Sequence, residues 1–177
     1  MKSNHSIKNY FIRVCIILII ISFFIIALVV FSPTLTLANA HKNTIKTTKN
    51  IDKIRLLQLY FYYATDKGYA DYTEILKRRR DQVIGKLIDK KLALSLQPYI
   101  RRPSYQGYYY SLIVSADRKK YVLWAVPTEY GKSGLRSYWM SSLNWRIYAF
   151  DAKELTIEML EYKDSPPKGY YELGSRF

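Results

Sequence analysis

The chain has a single cysteine, Cys15, and only two histidines, His5 and His41, in 177 residues. One thiol cannot close an intramolecular disulfide or furnish a cysteine-based metal site. Both histidines precede the region where a folded domain is expected, which argues against zinc binding and histidine-dependent catalysis. Acidic residues are scarce: 14 Asp and Glu stand against 28 Lys and Arg, a formal charge of +14. No internal repeat or low-complexity block is present.

What is abundant is tyrosine, with 18 residues, in a chain whose 49% hydrophobic content suffices for one packed domain plus an N-terminal extension. A tyrosine carries a large apolar ring and a polar tip. That combination suggests a small sheet with one exposed face. The positive charge is uneven. Residues 41–102 hold 15 Lys and Arg against 6 Asp and Glu, whereas residues 146–177 hold 5 against 6. The densest point is Lys77-Arg78-Arg79-Arg80, followed by Arg101-Arg102. Such a surface attracts a polyanion, whether nucleic acid, glycan or anionic lipid, although a solvated basic face that aids solubility has the same composition.

The longest uncharged stretch runs from Val14 to Ser32 and follows Lys2, Lys8 and Arg13. A run of that length can cross a bilayer as one helix with every backbone group bonded internally. The preceding positive charges are expected to keep the N-terminus in the cytoplasm and send the remainder across the membrane. The run exceeds the apolar core of a secretory signal, which favours an uncleaved anchor; Ala38-Asn39-Ala40 nevertheless offers small residues at signal-peptidase spacing. Residues 1–40 therefore read as a signal-anchor or a signal peptide. In the second case the product is an exported soluble protein beginning after Ala40. Pro33 is expected to break the helix ahead of that site.

His41 to Asn50 is polar and threonine-rich and reads as a linker. From Ile51, the apolar residues Ile54, Leu57, Phe61 and Ala64 follow helical spacing, with Leu56, Tyr60 and Tyr63 widening the stripe. Asn50 would cap this helix and Gly68 would end it. Asp71-Tyr72-Thr73-Glu74 fits a capping box for a second helix reaching Arg80 or Val83. Ile84, Leu87, Ile88, Leu92, Leu94 and Leu96 then form an apolar segment between helix and sheet. Tyr108, Tyr110, Leu112 and Val114 alternate with their neighbours as a strand does; Asp117 to Lys120 turns the chain, and Tyr121 to Val126 returns it. Arg136–Met140 and Trp145–Phe150 supply two more strands. The segment 154–162 fits a strand or a helix equally, and residues 163–177 read as a loose tail. The expectation is an α+β fold over residues 51–162, with an amphipathic helix packed on a four-stranded antiparallel sheet.

In that order of parts, the chain resembles type IV pilin-like and type II secretion pseudopilin-like headpieces of bacteria. The resemblance covers Ile51 to Phe150. It rests on Gly68-Tyr69, on Leu87-Ile88-Asp89, on Gly107-Tyr108-Tyr109-Tyr110, on Ala125-Val126-Pro127, and on the run Gly131-Lys132-Ser133-Gly134-Leu135-Arg136-Ser137-Tyr138. It implies a membrane-tethered structural or interaction protein, a minor component of a type IV pilus or of a type II secretion-like assembly for protein transport. Its partners would be other pilin-like or secretion-assembly proteins and, through residues 14–32, the membrane. The chain departs from the family at its start, Phe11-Ile12-Arg13-Val14-Cys15, where no glycine precedes the apolar run and no glutamate lies within it. The resemblance therefore extends to the headpiece and stops short of the filament.

Sharper chemistry finds little support. Gly131-Lys132-Ser133 ends like a phosphate-binding loop, but position 126 is Val where the pattern requires glycine. Glu154, Glu158 and Glu161 would share a helix face, more simply as solvated charge than as a carboxylate pair. Lys77, Arg78, Arg79, Arg80, Arg101 and Arg102, with Tyr108-Tyr109-Tyr110 as a stacking surface, make the best binding candidate, for single-stranded nucleic acid or another polyanion. The sequence leads to the expectation of a non-enzyme, with no cofactor, metal or small-molecule substrate.

Overall fold

The computed structural model describes residues 3–97, 103–151, 162 and 164–173. The chain divides into two compact units, Met1–Ala38 and Asn39–Phe177. Helix α1 is assigned across Ser3–Ala64, with Pro33 inside it. Pro33 was expected to break the helix. It does not, and one turn later Thr36 Oγ1 donates to Ser32 O at 2.9 Å. The first unit carries the apolar run, with Ile19, Phe23 and Phe24 exposed. This helix is long and apolar enough to span a membrane.

The second unit is α+β. After α1 come three short helices, α2 (Tyr72–Arg78), α3 (Gln82–Leu87) and α4 (Lys90–Ser95). Each starts on an aspartate. Asp71 accepts from Glu74 N, Asp81 from Val83 N and Asp89 from Leu92 N, so each carboxylate satisfies a backbone donor that the first turn leaves open. The second helix therefore stops at Arg78, because Asp81 opens a new one. Ile84, Ile88, Leu92 and Leu96 are buried at the spacing these helices impose.

Five antiparallel strands follow in a meander of order β1-β2-β3-β4-β5: Tyr108–Val114, Tyr121–Pro127, Ser137–Ser141, Ile147–Phe150 and Tyr171–Glu172. Four strands were expected; the fifth comes from the supposed tail, where Ala149 pairs with Tyr171. The fourth begins at Ile147 because Trp145 takes a left-handed φ of 59° in the preceding turn. Of the segment 154–162, open between strand and helix in the sequence, residues 154–161 lie outside the described residues.

One face of the sheet meets α1. Tyr108, Tyr110, Leu112, Leu123, Tyr138 and Met140 pack in one cluster with Ile51, Ile54, Leu57 and Phe61. Leu56 and Tyr63 do not join that stripe: they are 49% and 80% exposed. The opposite face is covered as well, since Val122, Trp124, Val126 and Trp139 are buried against Tyr148, Tyr162 and Tyr170. Every residue of β2 and β3 is buried. The half-wet sheet inferred from the tyrosine content is thus replaced by a sheet enclosed on both sides.

The polar stretch 41–50 is helix, not linker. Its inward residues are Thr44, Thr47 and Asn50, and they meet the tyrosine hydroxyls of β1. Thr44 Oγ1 shares a hydrogen bond with Tyr108 OH at 3.1 Å and accepts one from Leu135 N at 3.0 Å. Tyr110 OH donates to Thr47 Oγ1 and accepts from Asn50 Nδ2. Asn50, expected as a cap, is an internal partner instead. His41 likewise belongs to the folded unit.

Candidate functional site

The positively charged candidates gather where α1 ends. The helix closes with Thr65, whose N–H and hydroxyl both bond Phe61 O. Gly68 takes φ +76°, and a Cβ there would lie 2.4 Å from Arg118 O, so only glycine admits the approach. Tyr69 N then donates to that same carbonyl at 2.9 Å. Arg118 heads the β1–β2 turn with φ 55°. The turn is held by Asp117 Oδ1, which accepts from Ser115 Oγ and Lys119 N.

Arg118 ties this turn to α2. Its Nη1 donates to Glu74 Oε2 at 2.7 Å and its Nη2 lies 3.4 Å from Asp71 Oδ2. Burial would raise the Asp71 carboxyl, but the Thr73 hydroxyl, the Glu74 N–H and Arg118 together hold it below the usual range. Arg78 also reaches Glu74, at 3.8 Å, and its guanidinium lies 5.8 Å over the Phe61 ring.

The predicted basic run is therefore divided. Arg78 is engaged with core and carboxylate, Arg79 caps α2 and is half-buried, and Lys77 and Arg80 are exposed. Arg101 and Arg102 lie outside the described residues, as do Glu154, Glu158 and Glu161. The tyrosines chosen as a stacking surface fare worse: Tyr108 and Tyr110 are 0% exposed, with their hydroxyls turned to α1. Stacking by those two rings is ruled out by their burial.

Exposed rings do stand near the basic run: Tyr63, expected in the apolar stripe, and its neighbour Tyr62. Tyr62 and Tyr63, at the end of α1, line a cleft of about 340 Å³ with Asp66, Lys67, Asp117 and Lys119. A neighbouring cleft of about 440 Å³ shares Lys67 and Arg118 and adds Asp71, Glu74, Lys77 and Arg78. The missed signal was the charged turn Asp117 to Lys120, whose partner across space is Gly68-Tyr69.

The Gly131-Lys132-Ser133 loop joins β2 to β3 rather than a strand to a helix. Its donors are used internally: Gly131 N bonds Gly134 O, and Ser133 N bonds Glu129 O. Asn43 Nδ2 donates to Ser133 O at 3.0 Å, which fastens the loop to α1. The loop is a clasp of the fold. Among the described residues, no group of three or more His, Cys, Asp or Glu is placed to hold a metal ion. At the small-residue pair considered for cleavage, Ala38 is exposed and Ala40 is 0% exposed, both in helix.

No protein-family model, no curated protein and no solved structure matches this chain.

Proposed function

We propose that this chain is a membrane-tethered, exported pilin-like protein that works by contact with other proteins, as a minor component of a pilus- or type II secretion-like assembly. One observation carries the reading. The element that holds the apolar run, α1, also roots the sheet through Ile51, Ile54, Leu57 and Phe61. A helix followed by an antiparallel meander agrees with the order of parts on which the resemblance rests. Gly68, Gly107 and Gly131 of the resembling motifs all take positive φ, so those glycines serve the turns.

The tether is retained in this reading. Signal peptidase acts on an extended segment, whereas Ala40 is helical and buried, and its carbonyl accepts from Thr44 Oγ1 at 2.8 Å. Lys2, Lys8 and Arg13 keep the N-terminus cytoplasmic. Contact with partners falls to side chains that α1 leaves outward, such as Ile45 and Leu56, which are 47% and 49% exposed. A photo-crosslinking residue placed at Ile45 or Leu56 in the native membrane tests the proposal. Discrete adducts with a second membrane-anchored protein support it. Adducts to lipid alone, or none, count against it.

A further inference from the structure

The cleft at the end of α1 combines three features that the tether does not require. First, its aromatic surface is fixed from the core outward. Tyr121, 0% exposed, meets Tyr69 edge-on at 4.8 Å; Tyr69 stacks on Tyr62 at 4.8 Å and 29°; and Tyr62 meets Tyr63 edge-on at 5.3 Å. The outermost ring is 80% exposed, yet it rests against rings the core holds in place. A preorganised surface loses less entropy on binding than a loose one. Second, the cleft mixes charges of both signs: Asp66 and Lys67 come from just after α1, and Asp117, Arg118 and Lys119 from the β1–β2 turn. Third, the cleft is open and about 340 Å³ in volume, room for a sugar ring.

This chemistry discriminates among anionic polymers. The phosphodiesters of a nucleic acid only accept hydrogen bonds, so they offer no donor to the Asp66 and Asp117 carboxylates. Sugar hydroxyls both donate and accept, so they match a mixed set of carboxylates and ammonium groups. The apolar face of a sugar ring suits an exposed tyrosine. Carboxylates on the sugar would meet Lys67 and Lys119.

We infer that this cleft binds an acidic saccharide, a chain of sugar rings bearing hydroxyls and carboxylates, with Tyr62 and Tyr63 as stacking surface and Lys67 and Lys119 as carboxylate partners. The exported address proposed above only says where such a glycan would be met; the binding itself does not depend on it.

The test uses the full chain in detergent micelles, titrated calorimetrically with a short oligogalacturonate. Saturable binding is expected, weakened about tenfold or more by Tyr63→Ala and by the pair Lys67→Ala and Lys119→Ala, a loss of about 1.4 kcal/mol or more. Because Tyr63 is exposed, its removal leaves the circular dichroism unchanged. Lys77→Ala and Arg80→Ala leave the affinity unchanged, which separates this cleft from the basic run. Three results overturn the inference: no saturable binding at millimolar saccharide, binding indifferent to Tyr63→Ala, or tighter binding of an oligo-dT strand than of the saccharide. None of these affects the crosslinking result, so the two proposals fail separately.

Discussion

The side-chain amide of Gln58 pairs with both backbone groups of Ala70: Nε2 donates to Ala70 O at 2.7 Å and Oε1 accepts from Ala70 N at 3.0 Å. Both residues are 0% exposed. The pair pins the chain just after Gly68 against α1, and so places α2 and the β1–β2 turn. Gln58→Leu keeps much of the volume but leaves two buried backbone groups without partners. The expected loss is about 3 kcal/mol of unfolding free energy, read as a lower urea midpoint at unchanged slope.

The boundary of the folded unit gives a second expectation. A chain beginning at Asn39 retains Asn43, Thr44, Thr47 and Asn50, which bond Ser133, Leu135, Tyr108 and Tyr110. A chain beginning at Ile51 loses them all and strands two buried tyrosine hydroxyls. The longer piece folds cooperatively; the shorter shows weak near-ultraviolet circular dichroism and rapid proteolysis. Within the longer piece, Thr44→Val alone costs about 2 kcal/mol, because Leu135 N and Tyr108 OH lose their common partner.

That same boundary shows what the sequence conveys and what it does not. The stripe Ile51, Ile54, Leu57, Phe61 and the alternation from Tyr108 to Val114 are periodic in apolar residues, and both elements were legible. The turn at Asp117 and the cap at Asp71 follow from local chemistry. Residues 41–50 were misread because their inward side chains are threonines and asparagine, which answer tyrosine hydroxyls rather than fill apolar space. A hydrophobic period is blind to such a face. Tyr171–Glu172 is two residues long, too short for any period. The surface at Tyr62 and Tyr63 was hidden for the opposite reason: tyrosine extends an apolar stripe on paper, while the helix turns Tyr63 to solvent.

Three glycines separate turn strain from steric contact. Gly68→Ala meets both a positive φ and Arg118 O at 2.4 Å, and Gly134→Ala drives a Cβ into the Tyr108 ring, with Tyr108 OH 2.2 Å away. Each substitution is expected to cost several kcal/mol, about 3 or more, because a buried contact must open. Gly131 also has a positive φ but nothing within 4 Å of its Cβ, so Gly131→Ala costs only about 1 kcal/mol. Thermal midpoints of the three variants rank accordingly.

The buried tyrosines set the alkaline limit of the fold. Burial pushes the Tyr110 phenol up to about 12 from an ordinary value of 10.0, and raises Tyr108, Tyr121 and Tyr138 as well. A folded value above the unfolded one means stabilisation that is complete below pH 10 and is lost as the pH climbs toward 12. Phenolate absorbance from the buried set is expected to rise late, together with loss of tertiary circular dichroism. A single smooth titration with the fold intact contradicts this.

At the acid end, Asp89 is a cap with a second partner. Burial works to raise its carboxyl, but the Tyr105 hydroxyl at 2.6 Å and the N–H groups of Leu92 and Lys91 hold it below the usual range. Its contribution is therefore present above the unfolded carboxylate value and fades as the pH falls through the folded one. Asp89→Ala removes the cap, lowers stability by about 1 kcal/mol at neutral pH, and flattens the acid limb of the stability profile.

The proposed protein stays tethered by its own N-terminal helix after its α+β unit has been exported. The intact mass of the chain extracted from its native membrane tests this most directly. The expected result is the full-length species near 20.9 kDa, confined to the membrane fraction. A soluble product beginning at His41 would contradict it.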